Sequence, residues 1–248
     1  MNFSKAVLKT KFKATGIHLS MSLVVFFILA YQIFFVWYPQ PYFSVDGGWQ
    51  GIRIVAAVDL VLGPLITFLI FDLTKSRKEI IFDLFVIVTV QIGALIYGVV
   101  TTYEQRPVAI ILIDDFVISA LERDYGSQLE SLEDLNRYSS ETPPIIYANI
   151  PYDRDVIEEI TRIKTELGIT EHVQIQLYQP LSKLVSGLEI RQPNYLGLID
   201  DFGQGSDYEH WLEKHNRQPD GILVALFRGR YGEVWLVFDR DGKYLGYF

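Results

Sequence analysis

Three long apolar runs near the start of the chain limit what it can fold into more than any other feature. About 20 helical residues, rising 1.5 Å each, cross the ~30 Å of hydrocarbon in a bilayer. Ile17 to Tyr38 is an uncharged run of 22 residues, preceded by a basic arm with Lys5, Lys9, Lys11 and Lys13. Ile52 to Phe71 and Ile80 to Val100 are the second and third runs. A cleaved signal peptide would also begin with a basic arm and an apolar core. The first run, however, exceeds the roughly 7–15 residues of a signal core, and no small-x-small cleavage site follows it. Phe35, Trp37, Tyr38, Tyr42 and Phe43 stand where an aromatic membrane interface belongs. The expectation is a retained helix and a three-helix transmembrane bundle.

Basic residues set the expected orientation. Lys75, Arg77 and Lys78 lie in the connector Asp72 to Glu79, whereas the connector Pro39 to Gly51 has no Lys or Arg. The positive-inside rule then puts the N-terminus and the second connector in the cytoplasm. Three crossings place everything after Val100 outside, which in a two-membrane bacterium is the periplasm. The expected division is a cytoplasmic arm (1–16), a membrane part (17–100) and a periplasmic domain (101–248). Charge follows this division. Residues 1–100 hold eight Lys/Arg against five Asp/Glu, and residues 101–248 hold fourteen against twenty-five. An acidic outer part is unsuited to phosphate neutralisation, so nucleic acid is excluded as a partner. With no cysteine, disulfides, thiolate metal sites, iron–sulfur clusters and thiol chemistry are excluded as well.

The outer part reads as a small α+β domain. Val108 to Ile113 is a short apolar run between Pro107 and Asp114-Asp115, as expected of a strand. Asp153 is placed to cap a helix ending near Leu167, with Val156, Ile160, Ile163 and Leu167 on one face and Gly168 as its stop. Ser206 to His215 is a second expected helix, capped by Ser206. Ile222–Phe227, Glu233–Phe238 and Tyr244–Phe248 are separated by turn-forming sequences and predict an antiparallel C-terminal β-meander.

Polar groups inside apolar helices are costly and need a reason. Asp59 lies seven residues into the second run, about 10 Å below its outer end. It either lines a groove for a client helix or cation, or bonds Gln91, Tyr97 or a backbone group to fix the bundle. Arg53 is long enough to reach the outer interface or a neighbouring helix. Gly63-Pro64 predicts a kink that frees the carbonyl of Leu60, with the Thr67 hydroxyl close enough to compensate. Ala94 and Gly98 form a small-xxx-small pair for close helix packing. Asp83, near the cytoplasmic headgroups, is expected to pair with Lys78 or Arg77, or to meet the basic end of a partner helix. Enzyme templates are missing: His18, His172, His210 and His215 form no metal spacing, and no P-loop, Gly-x-Ser-x-Gly or Gly-x-Gly-x-x-Gly occurs. Asp114-Asp115 and Asp200-Asp201 read as solvated turns. Neither catalysis, a cofactor nor a metal is expected.

The membrane half resembles the type IV pilin accessory proteins of Gram-negative bacteria (the TfpX/TfpZ type). The resemblance rests on His18, Trp37-Tyr38-Pro39, the stretch Asp59-Leu60-Val61-Leu62-Gly63-Pro64-Leu65-Ile66-Thr67, Lys75, Asp83, Gln91, Tyr97-Gly98 and Arg106-Pro107. It covers about residues 15 to 110 and is loose beyond them. It implies a non-enzymatic inner-membrane accessory, or pilin-specific chaperone, that stabilises the major pilin and promotes its assembly into pili. The implied partners are the pilin's membrane helix and globular head, the lipid bilayer, and other membrane proteins of the pilus machinery. On this basis the expected client-binding residues are Asp59, Gly63, Pro64, Thr67, Asp83, Gln91 and Gly98, with the outer domain contacting the pilin head. The competing expectation is a membrane-anchored sensing or solute-binding protein unrelated to pili, which requires a closed apolar pocket in the outer domain. A small ion-conducting oligomer fits poorly with three spans holding one central charge.

Overall fold

A computed structural model describes residues 5–71, 75–113, 116–183 and 185–248. Asp114-Asp115 and the start of the second connector, residues 72–74, lie outside them. The chain divides into two compact units, Met1–Phe43 with Gly47–Gln105, and Ser44–Asp46 with Arg106–Phe248.

Three helical stretches in the first unit, Val7–Trp37, Gly48–Ile70 and Arg77–Glu104, are long and apolar enough to cross a membrane. We label them α1, α2 and α3. All three begin before their apolar runs. Helix α1 is already formed at Lys5, so the lysines of the basic arm lie on its first turns. It closes in a π-helical turn at Gln32–Trp37. Helix α3 starts at Arg77 because Ser76 caps it in a reciprocal box with Glu79, which satisfies two amides at its N-terminus.

Helix α2 is α-helical over Gly48–Ala56, π-helical over Ala57–Leu62 and α-helical again over Gly63–Ile70. Pro64 falls in the first turn of the last segment, where its missing amide hydrogen costs least. The wide turn before it carries the irregularity: the Gly63 amide bonds back to the Val58 carbonyl, five residues earlier. Where a proline kink was expected, the helix widens into a π turn that holds Asp59. The C-terminal ends of α1 and α3 are pinned by Tyr38, whose hydroxyl donates to the Thr102 carbonyl at 2.9 Å, and by an edge-on Trp37–Tyr103 contact. Ile33, Tyr38, Phe43 and Val55 form the buried cluster there.

The second unit is built on a mixed seven-stranded sheet of order β4-β3-β1-β2-β5-β6-β7. Its strands are β1 (Ala109–Ile113), β2 (Phe116–Ala120), β3 (Ile145–Ala148), β4 (Tyr178–Gln179), β5 (Ile222–Arg228), β6 (Glu233–Asp239) and β7 (Tyr244–Tyr247). The last three form the antiparallel meander. Two pairings, β1 with β3 and β2 with β5, are parallel, and parallel pairs require long crossover connections. Helix α4 (Arg154–Leu167) is capped by the Asp153 carboxylate and ends at Gly168 in the left-handed conformation. Ile160 enters the core beside Ile111, Ile146, Leu135 and Tyr125, but Leu167 is 67% exposed and leaves the expected apolar face. Helix α6 (Gly205–His215) begins one residue before Ser206. Gln204 is therefore the cap position, and it makes no side-chain capping bond.

Helix α5 (Val185–Asp201) was not expected, because Pro193 and Gly197 interrupt its pattern. Leu188, Tyr195 and Ile199 recur at helical spacing and are buried. Between them Gln192 accepts from the Val224 amide at 3.0 Å and donates to the Val224 carbonyl at 2.9 Å. Strand β5 meets β2 only through Val117 and Phe227, so Gln192 takes the place of strand pairing along this edge.

Ser44–Asp46 belong to this unit through the turn between β5 and β6. Asp46 is completely buried. Its Oδ1 accepts from the Arg230 Nε at 3.0 Å and from the Arg230 amide at 3.1 Å, and Arg230 Nη2 donates to its carbonyl. The Tyr231 amide bonds the Val45 carbonyl at 2.9 Å. Gly229 lies against that carbonyl so closely that a Cβ would collide with it.

Candidate functional site

A line of buried and half-buried polar residues runs along one side of α1. Lys11, Thr15, His18 and Ser22 follow each other by four, three and four residues, the spacing of a single helix face. Helix α2 meets this face. Lys11, 4% exposed, donates from Nζ to the carbonyls of Phe68 and Leu69 at 3.2 and 3.1 Å, so a cation caps the last turn of α2. His18 Nδ1 and Thr67 Oγ1 are 2.6 Å apart. The Thr67 hydroxyl, expected to serve carbonyls released by Pro64, is thus committed to α1.

Asp59 lies 2% exposed in the π turn. Gln91 of α3 donates from Nε2 to its Oδ1 at 3.0 Å, and the same nitrogen is 3.4 Å from Ser22 Oγ. Tyr97 points away and is 75% exposed. The second carboxylate oxygen, Oδ2, is buried and has no hydrogen-bond partner. A carboxylate accepts through both oxygens, so Asp59 is half satisfied.

Two glycines explain how the helices come this close. A Cβ on Gly63 would sit 2.5 Å from Gln91 Nε2 and Oε1, so its bareness admits the Gln91 amide beside Asp59. A Cβ on Gly98 would meet Ile54 at 2.9 Å. Both positions, offered by the sequence as landing places for a client, are filled by contacts between α2 and α3. Asp83 pairs with Lys75 at 2.6 Å, rather than with Lys78 or Arg77, and Lys75 also bonds the Ile70 carbonyl. Arg53 lies over the Trp49 ring, 5.2 Å from its centroid.

What stays open is a groove of about 590 Å3 between α1 and α3, floored by α2. Ala14, Ile17, His18, Met21, Ser22 and Val25 line one wall, and Leu84, Val88, Gln91, Ile92 and Leu95 the other. Asp59, Thr67 and Phe71 form the floor. Of the sequence-derived residues, Asp59, Thr67 and Gln91 therefore meet in one place. Gly63 and Pro64 shape the helix behind it, and Gly98 and Asp83 serve contacts elsewhere in the unit. His18 and Ser22 complete the polar patch and were missed as site residues, although their spacing with Lys11 and Thr15 was visible in the sequence.

The second unit carries an open cleft of about 500 Å3 at the α4 end of β3 and β4, with Asp155, Glu159, Asn149 and Gln176 at its rim. Buried polar side chains there are well paired. Tyr178 donates to the His172 carbonyl at 2.8 Å and its hydroxyl lies 2.9 Å from that of Tyr125, while Gln174 donates to the carbonyls of Ile160 and Ile169. Burial pushes the Tyr125 and Tyr178 phenols well above their usual range, and burial draws His172 below its own. Among the described residues no cluster of His, Cys, Asp or Glu is arranged to hold a metal ion.

A family described as fimbrial assembly protein FimB matches residues 6–47. Over 99 residues the chain is 41% identical to the fimbrial assembly protein of serogroups C1 and C2 of Dichelobacter nodosus, a match spanning 40% of this chain and 76% of that protein. The serogroup E1 protein of the same organism is also 41% identical over 99 residues, which is 38% of its length. A 38-residue stretch is 53% identical to the serogroup A1 protein, covering 15% of this chain and 79% of that one. No solved structure matches the chain.

Proposed function

Since the chain belongs to the family of FimB-type fimbrial assembly proteins, we propose that it is a non-enzymatic accessory of the bacterial inner membrane. It binds the type IV pilin, stabilises it in the membrane and promotes its assembly into pili. The observation that carries this reading is the 99-residue match to proteins named for fimbrial assembly, in a chain with three apolar helices of membrane-spanning length.

The arrangement in the membrane follows from charge and connectivity. Lys75, Arg77 and Lys78 mark the cytoplasmic side between α2 and α3. A chain that crosses three times brings the first connector and everything after α3 to one side. The Asp46–Arg230 ion pair, which joins that connector's sequence to the β5–β6 turn, fits this topology. Trp37, Tyr38 and Tyr103, near the ends of α1 and α3, suit the outer interface. The sheet unit then lies in the periplasm, where the globular head of a pilin is available to it.

The test is removal of the gene from a piliated host, together with recovery of an affinity-tagged copy from mildly solubilised membranes. Loss of surface pili and co-recovery of pilin are expected. Unchanged piliation with no pilin in the eluate would refute the proposal.

A further inference from the structure

The groove between α1 and α3 has the form of a helix receptor. Ile17, Met21 and Val25 stand along one rim at four-residue spacing, and Leu84, Val88 and Ile92 along the other at the same spacing. Ridges of this spacing are the ones that interdigitate with a packed helix. They are largely uncovered: Met21 is 68% exposed, Ile17 57%, Ile92 52% and Val88 50%. The lined part of α1, Ala14 to Val25, extends about 17 Å at 1.5 Å per residue, or three helical turns.

At the base of these rims lies Asp59, with one oxygen lacking a donor. A lipid acyl chain would fill the groove but carries no hydrogen-bond donor, so it would leave this carboxylate half satisfied in hydrocarbon. A helix with a donor on its inserted face satisfies both the ridges and the charge. We infer that the groove between α1 and α3 seats a client's membrane helix, apolar apart from a hydrogen-bond donor that meets the free oxygen of Asp59. This inference rests on the proposed pilin-binding function and assigns the surface that performs it. Gly63 and Gly98 then act from within, by drawing α2 and α3 together so that Gln91 holds the other oxygen of Asp59.

Photo-crosslinking in native membranes tests it. A photoreactive residue is placed at Met21, at Val88, and as a control at Val90, which is exposed on another face of α3. Crosslinks to the pilin helix are expected from Met21 and Val88 and not from Val90. Asp59→Leu should lower the Met21 crosslink by about threefold to thirtyfold, the range set by one interhelical hydrogen bond. Asp59→Asn, which keeps an acceptor oxygen, should lose less. Val88→Trp fills the groove without touching Asp59 and should also abolish the Met21 crosslink, so the test survives if Asp59→Leu fails to insert. Crosslinks to lipid alone or to a second copy of this chain would overturn the inference, as would a full Met21 signal in both variants. If pilin co-purifies with the wild-type chain but never crosslinks from the groove, the assigned surface fails and the proposed function stands. If pilin is absent from both assays, the function itself fails.

Discussion

Removing Arg230 and removing Asp46 should have unequal consequences, and the difference measures what the pair does. The Asp46 side chain is fully buried, whereas that of Arg230 is 30% exposed. Arg230→Ala takes the guanidinium from a carboxylate that has no access to water, leaving it only the residue 230 amide as donor. Stranding a buried charge in this way typically costs 3–5 kcal/mol, and the partial exposure of the pair points to the lower end, about 3 kcal/mol. Asp46→Ala removes the buried charge itself and lets the guanidinium turn to solvent. Its main cost is the acceptor lost by the Arg230 amide, about 1–2 kcal/mol. Once the Asp46 carboxylate is gone, Arg230→Ala strands no charge but still strips the residue 46 carbonyl of its Nη2 donor, so the double variant should lose about 1 kcal/mol more than Asp46→Ala alone. The coupling energy is then about 2 kcal/mol. At roughly 2–4 °C per kcal/mol for a chain of this size, Arg230→Ala should lower the melting temperature by about 6–12 °C. The assay is thermal unfolding of the full chain in detergent, followed through the fluorescence of the buried Trp211 and Trp235. Additive effects, or a loss from Asp46→Ala as large as that from Arg230→Ala, would show that the pair is not holding a buried charge and would refute the reasoning.

Three further outcomes follow from other contacts. Gly63→Leu should displace the Gln91 amide, removing the donor to Asp59, and destabilise the helical unit by about 2–4 kcal/mol in a denaturing-detergent titration; Gly63→Ala should cost less but still be measurable. Gln192→Leu should strip both backbone groups of Val224 of their partner and cost about 2–4 kcal/mol in the unfolding of the sheet unit, seen as a lower melting temperature. Because the buried Tyr125 and Tyr178 phenols stay protonated in the folded chain beyond the ordinary value of 10.0, their contribution is complete below about pH 10 and is lost as pH rises above it. Stability should therefore fall between pH 9 and 11 in a set of denaturation midpoints, and Tyr178→Phe should flatten that slope.

The sequence made some parts of this architecture readable and concealed others for identifiable reasons. Apolar run length revealed the three helices, but their ends lay in polar residues. Ser76 and Glu79 moved the start of α3, and a lysine-bearing arm proved to be the first turns of α1. The C-terminal meander was marked by its turns and alternation. Strands β2, β3 and β4 were not, because they are five residues or fewer and are fixed by partners distant in sequence. Helix α5 was hidden by Pro193, since a proline normally signals a helix boundary. The site divides along the same line. Asp59, Thr67 and Gln91 stood out as polar residues in apolar helices, yet nothing local indicates which neighbour each will meet. The Thr67 hydroxyl was assigned to its own helix and instead bonds His18, 49 residues away.

The polar stripe of α1 and the half-satisfied Asp59 support a binding role more than a purely structural one. An unmet acceptor in a low-dielectric interior is a standing penalty that Asp46 Oδ2 also carries, and what sets Asp59 apart is that it lines an open groove. The bundle has donors in the right stripe to meet it. Yet the geometry directs Lys11 to the end of α2, His18 to Thr67, and the Gln91 amide to one oxygen alone. The π turn that carries Asp59 adds to this, since such turns displace a side chain from the position a regular helix would give it. A π turn, a bare glycine admitting a single donor and an open groove beside them leave one acceptor free. That combination is uneconomical for a resting bundle but suits one completed by a second helix.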